Sequence, residues 1–110
     1  MTDTPSTCDV VPWKDQLLEL PSDGVVRHNA GMADDGLRLV MFGFAAGGEL
    51  PEHDAPCPAI IEVISGEMDL TLNGRRVTAP AGTWVRMPVR CPHAVRAVTP
   101  ALMRLVLLPG

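Results

Sequence analysis

Asn73-Gly74 stands between two runs of β-forming residues, and no other pair of residues restricts this chain's folding as tightly. Both residues tolerate positive φ, which a two-residue hairpin turn needs. The run before it, Met68 to Leu72, sets Met68, Leu70 and Leu72 against Asp69 and Thr71, the alternation of a half-buried strand. Arg75 to Ala79 is the returning strand. A β-hairpin centred on Asn73-Gly74 is therefore expected, and the neighbouring stretches must be compatible with a sheet.

They are. Leu37 to Ala45 (LRLVMFGFA) is apolar on both faces and reads as a strand covered on both sides. Ala59 to Ile64, Thr83 to Met87, His93 to Val98 and Leu102 to Leu108 have strand composition. Val25 to His28 is a short strand that Asn29-Ala-Gly31 is expected to break. Turn signals separate these runs at Asp34-Asp35-Gly36, Ser65-Gly66 and Pro80-Ala-Gly82. Pro51, Pro56 and Pro58 predict an extended, ladder-poor segment around His53. Several short strands with regular turns and almost no helix indicate an all-β sandwich or barrel. Residues 25–110 form that single domain. Residues 1–24 are an N-terminal arm: its first half, rich in Thr, Pro and Ser, is expected to be poorly ordered, and Trp13 to Leu20 fits one helical turn or an edge strand.

Composition narrows the function classes. A chain of 110 residues is one domain, small enough to gain from dimerisation. Net charge is −4 and no basic cluster extends beyond Arg75-Arg76, which argues against nucleic acid. No apolar run approaches the length of a membrane span. No charged-then-apolar signal pattern opens the sequence, and the cysteines, Cys8, Cys57 and Cys91, are odd in number; both point to a cytoplasmic protein with free thiols or thiol ligands.

With the turns in place, the spacing of Gly, Pro and His resembles the cupin family of small double-stranded β-helix (jelly-roll) proteins. Gly47 is followed, after five residues, by His53, and the first motif closes on Gly66-Glu67. Gly74 is followed, after five residues, by Pro80-Ala-Gly82, and Pro88 and Pro92-His93 complete the second motif in a longer-spaced form. The likeness covers residues 37–108 and implies a barrel that brings His53 and His93 into one pocket. The family's metal site has two histidines and a glutamate from the first motif and one histidine from the second. Here the second histidine position holds Ala55 and the glutamate position Ala59, so two of the four ligands, His53 and His93, are kept.

The resemblance implies a divalent metal at His53 and His93, with zinc, iron, manganese and nickel equally compatible, and a small organic molecule as ligand or substrate. An imidazole ligates only when neutral, so binding should weaken as pH falls through about 6.5, the range of free imidazole. Strand alternation offers completions. If His53 points inward, so does Cys57, and Cys91 shares parity with His93; the four make a chemically reasonable zinc set. The same two cysteines also read as small buried residues or as a disulfide. Glu62 faces away from His53 on a regular strand, and only a bulge after Pro58 would turn it in to make a two-histidine, one-carboxylate triad. Ile61, Val63, Met87 and Val95 are expected in the pocket wall, and Trp84, Met103 and Leu105 in the core or wall. One of Arg86, Arg90, Arg96 and Arg104 is a candidate for binding a carboxylate at the mouth. Ile60 and Ile64 beside Glu62 predict an outer face covered in a homodimer. Catalysis is left open: a dioxygenase, isomerase or lyase using the metal, a non-catalytic ligand-binding or sensing cupin without metal, and a metal-free acid–base enzyme all remain.

Overall fold

The hairpin that the sequence demands is built as expected: in a computed structural model, Asn73 has φ 51° and Gly74 φ 80°, and the flanking strands pair from Leu72↔Arg75 to Glu67↔Pro80. The structure describes residues 2–3 and 8–109, so part of the arm lies outside the described residues. In chain order the elements are β1 (Thr2–Asp3), β2 (Asp9–Val10), α1 (Trp13–Gln16), β3 (Val25–Met32), β4 (Arg38–Phe44) and β5 (Glu49–His53). There follow β6 (Ala59–Ser65), β7 (Glu67–Leu72), β8 (Arg75–Pro80), β9 (Trp84–Met87), β10 (His93–Ala97) and β11 (Ala101–Leu107). All the ladders are antiparallel.

Two sheets face each other. One has the order β3-β4-β11-β6-β9 and the other β5-β10-β7-β8, a jelly-roll barrel. Alternation along each strand decides what lies between them. Ala59, Ile61 and Val63 of β6 are buried, with Ile60, Glu62 and Ile64 on the outer face. Val40, Phe42 and Phe44 of β4, Met68 and Leu70 of β7, Val95 of β10, and Met87 and Met103 complete the interior. The barrel is thus filled by side chains at its centre.

Gly66 joins the sheets between β6 and β7. Its φ is +81°, and a Cβ there would lie 2.3 Å from the Pro100 carbonyl oxygen. Only glycine allows both the turn and this approach.

The N-terminal segment lies on the outer face of the five-stranded sheet. A Cβ on Gly43 would stand 2.6 Å from Leu18 Cδ1, so β4 has no side chain where the arm crosses it. Gln16, buried at the end of α1, donates from Nε2 to the Val11 carbonyl at 2.9 Å and accepts from Arg104 Nε at 3.0 Å. Arg104 in turn donates to Glu62 Oε2 at 2.9 Å and lies over the Trp13 ring.

Two expectations are corrected. β3 does not stop at His28: it runs on to Met32, because a bulge at Ala30 absorbs the Asn29-Ala-Gly31 irregularity. Trp84 is not in the core. It pairs with Glu62, shares that residue's outer face and is 58 % exposed. Trp84 and Met87 are three positions apart, an odd number, so on one regular strand both cannot face inward.

Candidate functional site at the barrel mouth

β5 and β10 bring the two histidines side by side. His93 and His53 are direct partners in the ladder, their rings 4.3 Å apart between centroids and tilted by 56°. His93 is buried, at 5 % exposure, beside β7, whereas His53 lies on the sheet's edge strand and is exposed. A register shift between His93 and Val95 sets two β5 residues, Pro51 and Glu52, against the single Ala94 of β10, one extra residue ahead of His53. Pro51 is tolerated because the strand is an edge.

Both rings are held the same way. His53 Nδ1 is 2.9 Å from the Pro51 carbonyl oxygen and His93 Nδ1 is 2.9 Å from the Cys91 carbonyl oxygen. A carbonyl can only accept, so in each neutral ring Nδ1 carries the proton and Nε2 carries the lone pair. Neither Nε2 has a hydrogen-bond partner among the described residues. This is the tautomer that a metal-binding imidazole needs, fixed by the second nitrogen's hydrogen bond.

Register carries a row of side chains across each sheet at this end of the barrel. Cross-strand partners share a face. One row runs His53, His93, Leu72 and Arg75; the other runs Met32, Arg38, Leu107, Ala59 and Met87. The loop from Asp54 to Pro58 joins them. It is tied down by Arg90 N to Ala55 O at 2.9 Å, by Leu108 N to Pro58 O at 2.9 Å and by an Asp54–Arg90 ion pair at 3.4 Å. On the opposite side, Asn73 N donates to Pro92 O at 2.7 Å, which anchors the residue next to His93 to the hairpin.

Other residues expected in the site fall elsewhere. Glu62 stays on the outer face: β6 pairs without a shift from Ala59 to Val63, and the irregularity falls at Ile64, past the position where a bulge would have turned Glu62 inward. Its carboxylate is taken by Arg104, so the His53–Glu62–His93 triad does not form. Cys57 and Cys91 are partly buried free thiols and not a disulfide. Cys91 packs against the core with Sγ 3.7 Å from the Pro92 carbonyl oxygen. Ile61, Val63, Met87 and Val95 are buried in the core. His28 is remote, with Nε2 donating to the Asp15 carbonyl.

The arginines separate cleanly. Arg104 and Arg86 lie on the outer face, Arg90 is paired with Asp54, and Arg96 borders an outer groove with Glu49 and Asp69. In that groove Asp69 holds the Arg76 guanidinium above its ordinary pKa, first through a 2.9 Å hydrogen bond and then through charge. Arg38 stands in the mouth row, although the sequence pattern hides it at the start of an apolar strand.

These residues do not fit a four-ligand metal site. Ala55 and Ala59 occupy the other two ligand positions, and among the described residues no group of three or more His, Cys, Asp or Glu side chains is placed to hold a metal ion. The mixed His53, Cys57, Cys91, His93 set is not assembled either. What fits is a platform of two imidazole nitrogens.

A cupin superfamily protein from Desulfitobacterium hafniense superposes with a TM-score of 0.80 at 16 % identity, over 99 % of this chain and 97 % of that one. KdgF from Halomonas sp. gives 0.74 at 22 %, over 79 % and 80 %. A salicylate 1,2-dioxygenase from Pseudaminobacter salicylatoxidans gives 0.66 at 21 %, over 77 % of this chain and 26 % of that one. At such identities the likeness is one of fold. The curated proteins give no match. A family model described as the cupin domain matches residues 40–109, well over half of the sequence, and the chain belongs to the cupin family.

Proposed function

We propose that this cupin binds a small organic molecule at the barrel mouth, with a divalent metal held by His53 and His93. The observation that carries the reading is the shared tautomer: both Nδ1 atoms are tied to backbone carbonyls, so both Nε2 lone pairs are presented for coordination. A metal bound there would supply Lewis acidity. The chain's own residues do the rest. The Pro51 and Cys91 carbonyls fix the rings, while the partly buried Leu72 and Leu107 give the mouth an apolar lining beside them. With only two protein ligands, the remaining coordination positions are left to water or to the bound molecule. Dioxygenase, isomerase and lyase chemistry are all compatible with such a site.

A second reading, a metal-free binding or sensing module, draws support from the two alanines at ligand positions. A metal-free acid–base enzyme draws none, because carbonyls and not carboxylates orient both histidines.

Metal content of the untagged protein, measured by mass spectrometry beside His53→Ala/His93→Ala, tests the choice. Near-stoichiometric metal that is lost in the double variant is expected. No retention after incubation with zinc, iron, manganese and nickel would select the metal-free module. We also propose a homodimer through the outer face of the five-stranded sheet, where Trp84 is exposed beside Ile60 and Ile64, and a cytoplasmic location in keeping with the thiols of Cys57 and Cys91.

A further inference from the structure

We propose that the mouth selects an anionic ligand, a small carboxylate, and that Arg38 receives it. This rests on the site described under the proposed function and names the class of molecule that the site takes.

Arg38 precedes Val40 by two residues on β4 and shares its inward face. It pairs on one side with Leu107 and on the other with Met32, in the mouth row. It is partly buried, yet it makes no hydrogen bond or ion pair among the described residues. Arg76, Arg90 and Arg104 each have a carboxylate. A half-buried guanidinium without a partner forgoes part of its hydration, and a bidentate carboxylate is the group that best replaces it.

The surrounding charges point the same way. The two mouth rows hold two histidines and two arginines and no acidic residue, in a chain whose net charge is −4. Of the acids close in sequence, Asp54 is engaged by Arg90 and Asp35 accepts from the Leu37 amide. Asp34 and Glu52 are exposed and form no ion pair with Arg38. Open space adjoins the guanidinium: a cavity of about 290 Å³ is lined by Asn29, Ala30, Gly31, Met32 and Arg38. The ligand's apolar part would lie against Met32 and Leu107, the neighbours of Arg38 in its row, on the side of the two imidazoles of the facing sheet.

Benzoate and butyrate, against benzamide and butyramide, test this on the full chain by NMR titration. The acids are expected to shift the signals of Ala30, Met32 and Leu107, and the amides are not. Arg38→Gln should weaken acid binding by about tenfold or more. Arg38→Lys, which keeps the charge but not the fork, should fall between. Arg86→Gln, on the outer face opposite Ile60, should stay within about twofold of the parent. Equal response to acids and amides, no response to acids through the millimolar range, or unchanged binding in Arg38→Gln would each overturn the proposal. Loss in Arg38→Gln with full binding in His53→Ala/His93→Ala would uphold Arg38 and overturn the histidine reading. Loss in the histidine variant alone would do the reverse.

Discussion

His53 and His93 touch, yet they stand in different surroundings, and substitutions should separate them. His53 is on an edge strand and exposed, so His53→Ala should change stability by less than about 0.5 kcal/mol. His93 is buried among β5, β7 and the loop before β10, and its Nδ1 proton is bonded to the Cys91 carbonyl. Removing a buried ring and one hydrogen bond should cost about 1–3 kcal/mol, read as a shift in the urea midpoint at unchanged slope. Equal losses would mean that the two are not placed as described. The pair itself was legible from the Gly–His and Pro–x–Gly spacing. Their orientation was not, because it depends on carbonyls of Pro51 and Cys91, and backbone groups leave no trace in residue type. Arg38 was hidden for a different reason: LRLVMFGFA has apolar residues on both faces, so its parity is set by pairing with Leu107 and Met32 and not by its own pattern.

Turns and caps decide most at the element level. Gly66 and Gly74 both have φ near +80°, but only Gly66 is crowded, whereas nothing lies within 4 Å of a Cβ on Gly74. Gly74→Ala should therefore cost about 1 kcal/mol, from backbone strain alone. Gly66→Ala must also push back the Pro100–Ala101 backbone and should cost about 3 kcal/mol or more. Thermal or chemical unfolding of the two variants checks the order, and a Gly74 variant as damaged as the Gly66 variant would refute it. The strands around Asn73-Gly74 were readable because turn chemistry and alternation agree there. The full length of β3 was not, since a bulge lets a strand run through Asn29-Ala-Gly31. Arg104 gives the arm a specific anchor, joining Gln16, Glu62 and Trp13. Arg104→Ala leaves the buried Gln16 carbonyl oxygen without its donor and should cost about 2 kcal/mol. Amide exchange should then quicken over residues 8–20 and leave the barrel protected; uniform loss of protection would contradict a role confined to the arm.

For the molecule as a whole, the jelly roll follows from the order of short strands and turns, while its surfaces depend on which face each strand shows. Trp84 illustrates this: strand composition placed it inside, and pairing with Glu62 places it outside, on the face proposed to join two copies. Sedimentation should give a dimer, and Trp84→Arg should shift it towards monomer; a parent protein that sediments as a monomer would remove that proposal.

The presentation of both Nε2 atoms is what the site depends on, and long-range ¹H–¹⁵N spectra of histidine-labelled protein at alkaline pH observe it directly. Two rings protonated at Nδ1, with unprotonated Nε2 signals that are lost singly in His53→Ala and His93→Ala, are expected. A ring protonated at Nε2 in either residue would contradict the carbonyl-held geometry and with it the two-nitrogen platform.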